Sequence, residues 1–500
     1  MQALLMYPDR DFDLQAKGPW HEQALIQDLE LDTLLDAMAL GDAFLRQVAG
    51  RAILSSLTDP EVIRYRQEIL KDCLRNPSIV REVYALTLDA IEGEKKVYWG
   101  LFHKYPDMIL HRALEVMQLF VGMLKRLRGI ADQHAPLFQS KGFATLFAML
   151  EQELSDEYFA TVERHLRELR FRNGVLISAE LGKGNKGTNY TLCQPAENRQ
   201  GLLGRLRPRR APAYSFAIAD RDESGARALA ELKDRGINLV ANALAQSADH
   251  ILGFFTMLRT ELAFYVGCLN LYDRLTQLGE PVCFPEPAAP GTGKRSFVGL
   301  YDPCLALTMK GRVVGNDLEA DHKDLVVITG ANQGGKSTFL RSVGLAQLMM
   351  QAGMFVAAES FSASACAGLY THYKREEDAT LRSGKLDEEL SRMSDIADHI
   401  TAHSMVLFNE SFAATNEREG SEIARQIVLA LLEEGIQVFF VTHLYEFAHA
   451  LHRKKMGNAL FLRAEREPDG RRTFRIREGA PLQTSHGADL YEKVFGPDGR

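Results

Sequence analysis

From its start to about residue 170 the chain carries long amphipathic runs at helical spacing with few turn residues, which predicts a helical domain. Thr58-Asp59-Pro60 reads as a helix start with the proline just inside the first turn. EVIRYRQEILKDCL follows, with Val62, Ile69 and Leu70 on one face, and FATLFAMLEQELSDEYFATVERHLREL also reads as helix. Between Phe171 and Tyr214, β-branched and aromatic residues mix with glycine and asparagine, the signature of a hairpin or loop. Helical spacing returns from Arg221 to Gly279. There Ile251, Phe255, Leu258, Leu262, Tyr265, Leu269, Tyr272 and Leu275 recur three or four apart, a seam for packing on a partner helix. PVCFPEPAAPGTGK then reads as a linker. Beyond it, Leu325–Ile328, Ser404–Phe408 and Val438–Thr442 are short apolar runs that suit buried strands of a parallel sheet.

The expected fold is therefore multidomain, a mainly α-helical region followed by an α/β domain. Its parts run 1–170 (helical), 171–220 (basic β/loop excursion), 221–290 (long helix and linker) and 291–500 (α/β domain). At 500 residues, 46% hydrophobic and 25% charged, the composition is that of a soluble globular protein with ample core. Six cysteines are scattered with no C-x-x-C pair, which points to reduced thiols in the cytoplasm rather than disulfides or zinc. The start lacks a signal peptide, and no uninterrupted apolar run reaches about 18 residues, so no membrane span is expected.

A net charge of −7 gives no global attraction to nucleic acid, so any DNA contact needs a local patch. One exists on paper. Lys183, Lys186, Arg199, Arg205, Arg207, Arg209 and Arg210 face only Glu197 between positions 183 and 210, a local charge of +6. Arginine among glycines suits phosphate contacts; a solvated surface loop has the same composition, and both readings stand.

The chemistry centres on DLVVITGANQGGKSTFLRSVGLAQLMMQAG, residues 324–353. A buried strand breaks into a glycine-rich turn that opens a helix near Lys336. Gly330, Gly335, Lys336 and Ser337 fit G-x-x-x-x-G-K-[ST], a phosphate-binding loop. Its glycines let backbone N–H groups curl around an anion, helped by the helix dipole. Lys336 can reach the β- and γ-phosphates of ATP, and Ser337 offers a hydroxyl to Mg²⁺. Gly291-Thr292-Gly293-Lys294 lacks the spacing and the strand, and is a decoy. The strand ending at Asn409-Glu410 stands where P-loop ATPases place a metal-associated acid and a catalytic glutamate. Glu410 can orient or deprotonate the attacking water. His443 ends a second strand, where it can reach the γ-phosphate or that water; a structural histidine is the alternative. Thr415 or Asn416 can cap the helix whose Ile423, Ile427 and Leu431 face inward.

TGANQGGKSTFLRSVGLAQLMMQAGMFVAA resembles the MutS family of DNA mismatch-repair ATPases, whose loop reads TG-P-N-M-GGKST and continues into a similar helix. Tyr301-Asp302-Pro303 and Val314-Gly315-Asn316-Asp317-Leu318 are similar to that family's entry into its ATPase, and Thr484-Ser485-His486-Gly487 to its closing segment. TDPEVIRYRQEIL is similar to a stretch of its core. The likeness is strong over 295–490 and weaker but colinear over 40–290. It implies a helical core and lever, a DNA-clamp-like excursion at 171–220, and an ABC-type P-loop ATPase that works as a dimer. It also implies ATP and Mg²⁺ as cofactors and DNA, mismatched or branched, as partner. Gly330, Asn332, Gly334, Gly335, Lys336, Ser337 and Thr338 would hold the nucleotide, Ser337 and Asn409 the metal, and Glu410 and His443 would serve hydrolysis. Asn416 aligns with the family's signature serine, which faces the partner's nucleotide. Lys183, Lys186, Arg205, Arg207, Arg209 and Arg210 would touch DNA. Asn409 stands where the family has an acid, which predicts slow turnover. The chain is expected to lack the mismatch-recognition and connector domains and any following nuclease domain, so branched or distorted DNA is favoured over single mismatches. The rival reading is an ABC-type ATPase that remodels protein complexes without binding DNA.

Overall fold

Helix starts follow local chemistry. In the computed structural model, which describes residues 1–97, 105–172, 174–194, 214–375, 384–467 and 472–482, the Asp59 carboxylate accepts the Glu61 N–H and Pro60 opens the helix. Along the chain come α1 (Glu22–Asp28), α2 (Leu31–Ala39), α3 (Ala43–Leu54), α4 (Pro60–Arg75), α5 (Pro77–Val97), α6 (Pro106–His134), α7 (Lys141–Glu153) and α8 (Asp156–Glu168). The hairpin β1 (Leu176–Leu181) and β2 (Gly187–Cys193) precedes α9 (Glu223–Gln277). There follow β3 (Glu286–Ala288), β4 (Arg295–Leu300), α10 (Pro303–Met309), β5 (Asn316–Glu319), β6 (Leu325–Thr329), α11 (Lys336–Gln351), β7 (Ser360–Ser364) and β8 (Leu369–Tyr373). The chain continues through α12 (Lys385–His399), β9 (Met405–Asn409), α13 (Glu417–Glu433), β10 (Gln437–Val441), α14 (Tyr445–Arg453), β11 (Ala459–Arg466) and β12 (Arg472–Glu478).

Two compact units emerge. The first joins Met1–Ala3, Arg81–Pro136 and Ala144–Arg259. Its core is the apolar face of α6, with Phe120 and Leu124 fully buried and the Phe120 ring 5.9 Å from Phe255 of α9. The run 143–169 is two helices rather than one, because the Ser155 hydroxyl accepts the Tyr158 N–H and starts a new helix. The expected hairpin is present and antiparallel, with Leu176 opposite Cys193 and Leu181 opposite Gly187.

The second unit joins Leu4–Val80, Leu137–Phe143 and Thr260–Arg500. It holds a six-stranded sheet of order β12-β11-β6-β10-β9-β8, in which all neighbours except β12 and β11 run parallel. Both faces are covered, so β6 and β10 read as near-continuous apolar runs. Val327, Val406, Phe408, Val438 and Phe440 point to one side, where they meet Val428 and Leu431 of α13 and Phe447 and Leu451 of α14. On the other side α11 sits close: a β-carbon on Gly344 would lie 2.7 Å from the Leu407 side chain. Beside α11, the buried Arg295 bonds Gln347 at 3.1 Å and Gln437 at 3.0 Å, tying β4, α11 and β10 together.

Two sequence expectations are corrected here, and a third is qualified. The proline-rich stretch is no free linker. Glu286–Ala288 forms β3, the edge of a second sheet of order β3-β7-β4-β5, where a missing proline N–H costs nothing. Arg64 and Gln67 of α4 bond its carbonyls at Pro287 and Pro285. In α4 it is Ile63, not Val62, that is fully buried with Ile69 and Leu70, together with Arg66, whose guanidinium reaches the carbonyls of Met6 and Ala352. Finally, α9 contains an 18-residue window apolar enough to cross a membrane, though its apolar run is interrupted; 72% of that window is buried within the protein, as in a core helix.

Candidate functional site

The loop after β6 is shaped by two glycines. Gly330 has φ 116° and Gly335 φ 88°, left-handed values that favour glycine, and Gly335 caps α11. Gly334 is also fitted closely, since a β-carbon there would lie 2.7 Å from that of Ala464. Asn332 and Gln333 are exposed on the loop, and Gln333 accepts from Arg472 of β12 at 2.5 Å. Lys336 is buried. Its ammonium donates to the carbonyls of Gly330 and Ala331 at 2.9 Å each and lies 3.5 Å from His443 Nε2. Burial pulls its pKa down to about 8 and Arg472 adds to the fall, while the Glu410 charge opposes it.

Strand register brings the other residues to the same end of the sheet. Val441 of β10 pairs with Ile328 of β6 and with Asn409 of β9. The Ser337 hydroxyl donates to Asn409 Oδ1 at 3.0 Å, so the two residues expected at a metal do meet. Glu410 Oε1 lies 2.8 Å from His443 Nε2. That hydrogen bond is the largest cause holding the Glu410 carboxyl below its ordinary value, against burial, with Lys336 and Lys374 also lowering it. Thr338 borders the clefts on both sides of the loop.

Glu410 sits in a costly backbone conformation. Its φ is 56° and that of Phe412 is 62°, the left-handed region for two bulky residues. Groups that sequence reasoning missed hold this turn. The Phe412 N–H donates to Glu389 of α12 at 2.7 Å, and the Ser411 hydroxyl lies 2.7 Å from His372 Nδ1. His372 Nε2 is 2.9 Å from the Glu389 carbonyl, which can only accept, so Nε2 carries the proton, while the Ser411 hydroxyl donates to the His372 carbonyl at 2.6 Å. Burial keeps the ring neutral, with its pKa down to about 4. No local pattern marks these partners, because each contact spans distant segments.

Asn416 caps α13: its side-chain oxygen accepts the Glu419 N–H at 3.0 Å, and Thr415 and Asn416 both donate to the Glu419 carboxylate. Asp302 likewise caps α10 and grips Arg341 of α11 at 2.5 Å. Asn316 accepts the Ile476 N–H at 2.7 Å. Between these elements and the loop lies an apolar cleft of about 490 Å³ bordered by Tyr301, Leu305, Met309, Val314 and Phe474. Lys183 and Lys186 are exposed at the β1–β2 turn, in the other unit. Arg199, Arg205, Arg207, Arg209, Arg210 and the segment Thr484–Gly487 lie outside the described residues.

A magnesium nucleotide fits this donor set. Ser337 and Asn409 present two hard, uncharged oxygens side by side. Among the described residues no group of three His, Cys, Asp or Glu side chains can hold a metal alone. Phosphate oxygens and water would therefore complete the shell, as Mg²⁺ usually requires.

Two family models match the chain: the MutS2 N-terminal domain over residues 58–278 and MutS domain V over residues 326–498. A DNA mismatch repair protein MutS of Thermus thermophilus is 32% identical over 184 residues, 37% of this chain and 22% of that protein. An endonuclease MutS2, also of Thermus thermophilus, is 34% identical over 148 residues, 29% and 20% of the two chains. MutS protein homolog 4 of Mus musculus is 25% identical over 258 residues, 51% and 25%. The matched segments thus span about a fifth to a quarter of these relatives.

Proposed function

Because the chain belongs to the MutS family, we propose that it is an ATP-dependent DNA-binding protein of repair or recombination. In this reading ATP binding and slow hydrolysis gate a dimeric clamp on distorted, mismatched or branched DNA, with core, clamp, lever and ATPase roles for 1–170, 171–220, 221–290 and 291–500. One observation carries the nucleotide half: Lys336, Ser337, Asn409, Glu410 and His443 converge at the C-terminal ends of three adjacent parallel strands. That is where α/β sheets bind ligands. Lys336 and the N–H groups from Gly330 to Thr338 bind the phosphates, and the apolar cleft beside Phe474 takes the base. Magnesium, held by Ser337 and Asn409, supplies charge neutralisation at the phosphates when bound. Glu410, hydrogen-bonded to His443, orients the attacking water. Asn416 is offered to the nucleotide of a second copy.

Affinity should then depend on pH. Phosphate binds the charged ammonium, and the free protein loses that charge as pH rises through the Lys336 pKa of about 8. ATP affinity should hold steady below it and fall by about tenfold per unit above it. Nucleotide titrations between pH 7 and pH 10 read this directly; a flat profile would detach Lys336 from the phosphates.

The DNA half rests on the relatives' names and on the local charge of +6. A gel-shift panel of homoduplex, mismatched, three-way and four-way DNA, with and without ATP, tests it; binding to none of them favours a remodeller of protein complexes. Neutralising Arg205, Arg207, Arg209 and Arg210 together should flatten the dependence of log K on log salt by about 0.9 for each duplex phosphate that the variant no longer neutralises. An identical slope would place the DNA surface elsewhere.

A further inference from the structure

On the Ser337 side of the loop a cleft of about 640 Å³ is bordered by Ser337, Thr338, Asn409, Arg341, Lys374 and Arg375. Both arginines are committed elsewhere. Arg341 grips Asp302 and Glu30, and Arg375 donates to Gln27 at 2.7 Å and lies 3.9 Å from Asp28. Lys374 is different. Its backbone N–H donates to the Asn409 carbonyl at 2.9 Å, one step beyond the pair Tyr373–Asn409, so it leaves β8 at the phosphate end of the sheet. Among the described residues it makes no ion pair. Its charge acts on Glu410, whose carboxyl it helps to keep ionised.

The neighbour of Lys374 is equally informative. A carboxylate at position 409 would repel the phosphates and need a divalent cation between them. Asn409 carries no charge, and Lys374 adds a positive one to the same wall. An ammonium beside a phosphate forms a strong charge-assisted hydrogen bond. We propose that Lys374 binds the terminal phosphate of a nucleoside triphosphate and, with neutral Asn409, takes over part of the neutralisation that a divalent cation otherwise provides. The site then tells triphosphate from diphosphate with little help from metal. This deepens, and rests on, the nucleotide-site reading above.

Calorimetric titrations of the full chain with ATP and with ADP, in Mg²⁺ and in EDTA, test it. Wild type should bind ATP in EDTA within about tenfold of its affinity in Mg²⁺. Lys374→Ala should lose about tenfold or more in ATP affinity, with the larger loss in EDTA and ADP unchanged. Lys374→Arg should keep most of the ATP affinity. Wild-type ATP binding by Lys374→Ala in both buffers overturns the proposal, and so does an equal loss of ATP and ADP. A parallel Lys336→Ala arm separates the two readings: nucleotide binding intact there removes the nucleotide site itself, whereas its loss beside an unaffected Lys374→Ala removes only the role of Lys374.

Discussion

Lys336→Ala should abolish tight ATP binding, a loss of about 3–4 kcal/mol or roughly 10²–10³-fold in Kd, the usual scale for deleting a preorganised electrostatic contact. Two effects add. The variant loses the ammonium that faces the phosphates, and it loses the two bonds that fold the loop onto its own carbonyls at Gly330 and Ala331. The second effect concerns loop order rather than global stability, because β6 and α11 are held by their own burial on both sides of the loop. A thermal melt close to wild type together with failed ATP binding is the expected pair of results, checked by circular dichroism and calorimetry. Unchanged nucleotide affinity would end the phosphate-loop assignment.

The loop and its strands were legible because each carries a local signal. β6, β9 and β10 are short apolar runs, as strands covered on both faces must be, and the glycines mark the turn between β6 and α11. Asn416 was legible as a cap for the same reason: its partner, the Glu419 N–H, is three residues away. What escaped depends on distant segments. PVCFPEPAAPGTGK has the composition of a linker, and only the pairing of Glu286–Ala288 with Ser362–Ser364 makes it a strand. His372 and Glu389, which brace the turn after Glu410, lie 39 and 23 residues from their partners Ser411 and Phe412. The compact units are also discontinuous: residues 4–80 fold with 260–500, through contacts such as Glu261 accepting the Leu5 and Phe12 N–H groups, and no composition shift announces that.

Glu410→Gln should bind ATP and fail to turn it over. Glutamine is close to isosteric and can keep the contact with His443 and the backbone bond from Glu410 N–H to the Val441 carbonyl, so the strained turn should survive. What disappears is the carboxylate charge, which the hydrogen bond from His443 stabilises. Such a group orients water and accepts its proton late, and positioned acid–base groups contribute about 10²–10⁴-fold. Single-turnover hydrolysis should therefore fall by that factor. ATP affinity should hold or rise, since one negative charge leaves the neighbourhood of the phosphates. A second consequence checks the electrostatics independently. The Glu410 charge supports the protonated form of Lys336, so its removal should move the pH above which ATP affinity falls to a lower value. A variant that hydrolyses ATP at the wild-type rate would strip Glu410 of its role. Trapped ATP with an unmoved pH profile would keep that role but break the coupling to Lys336.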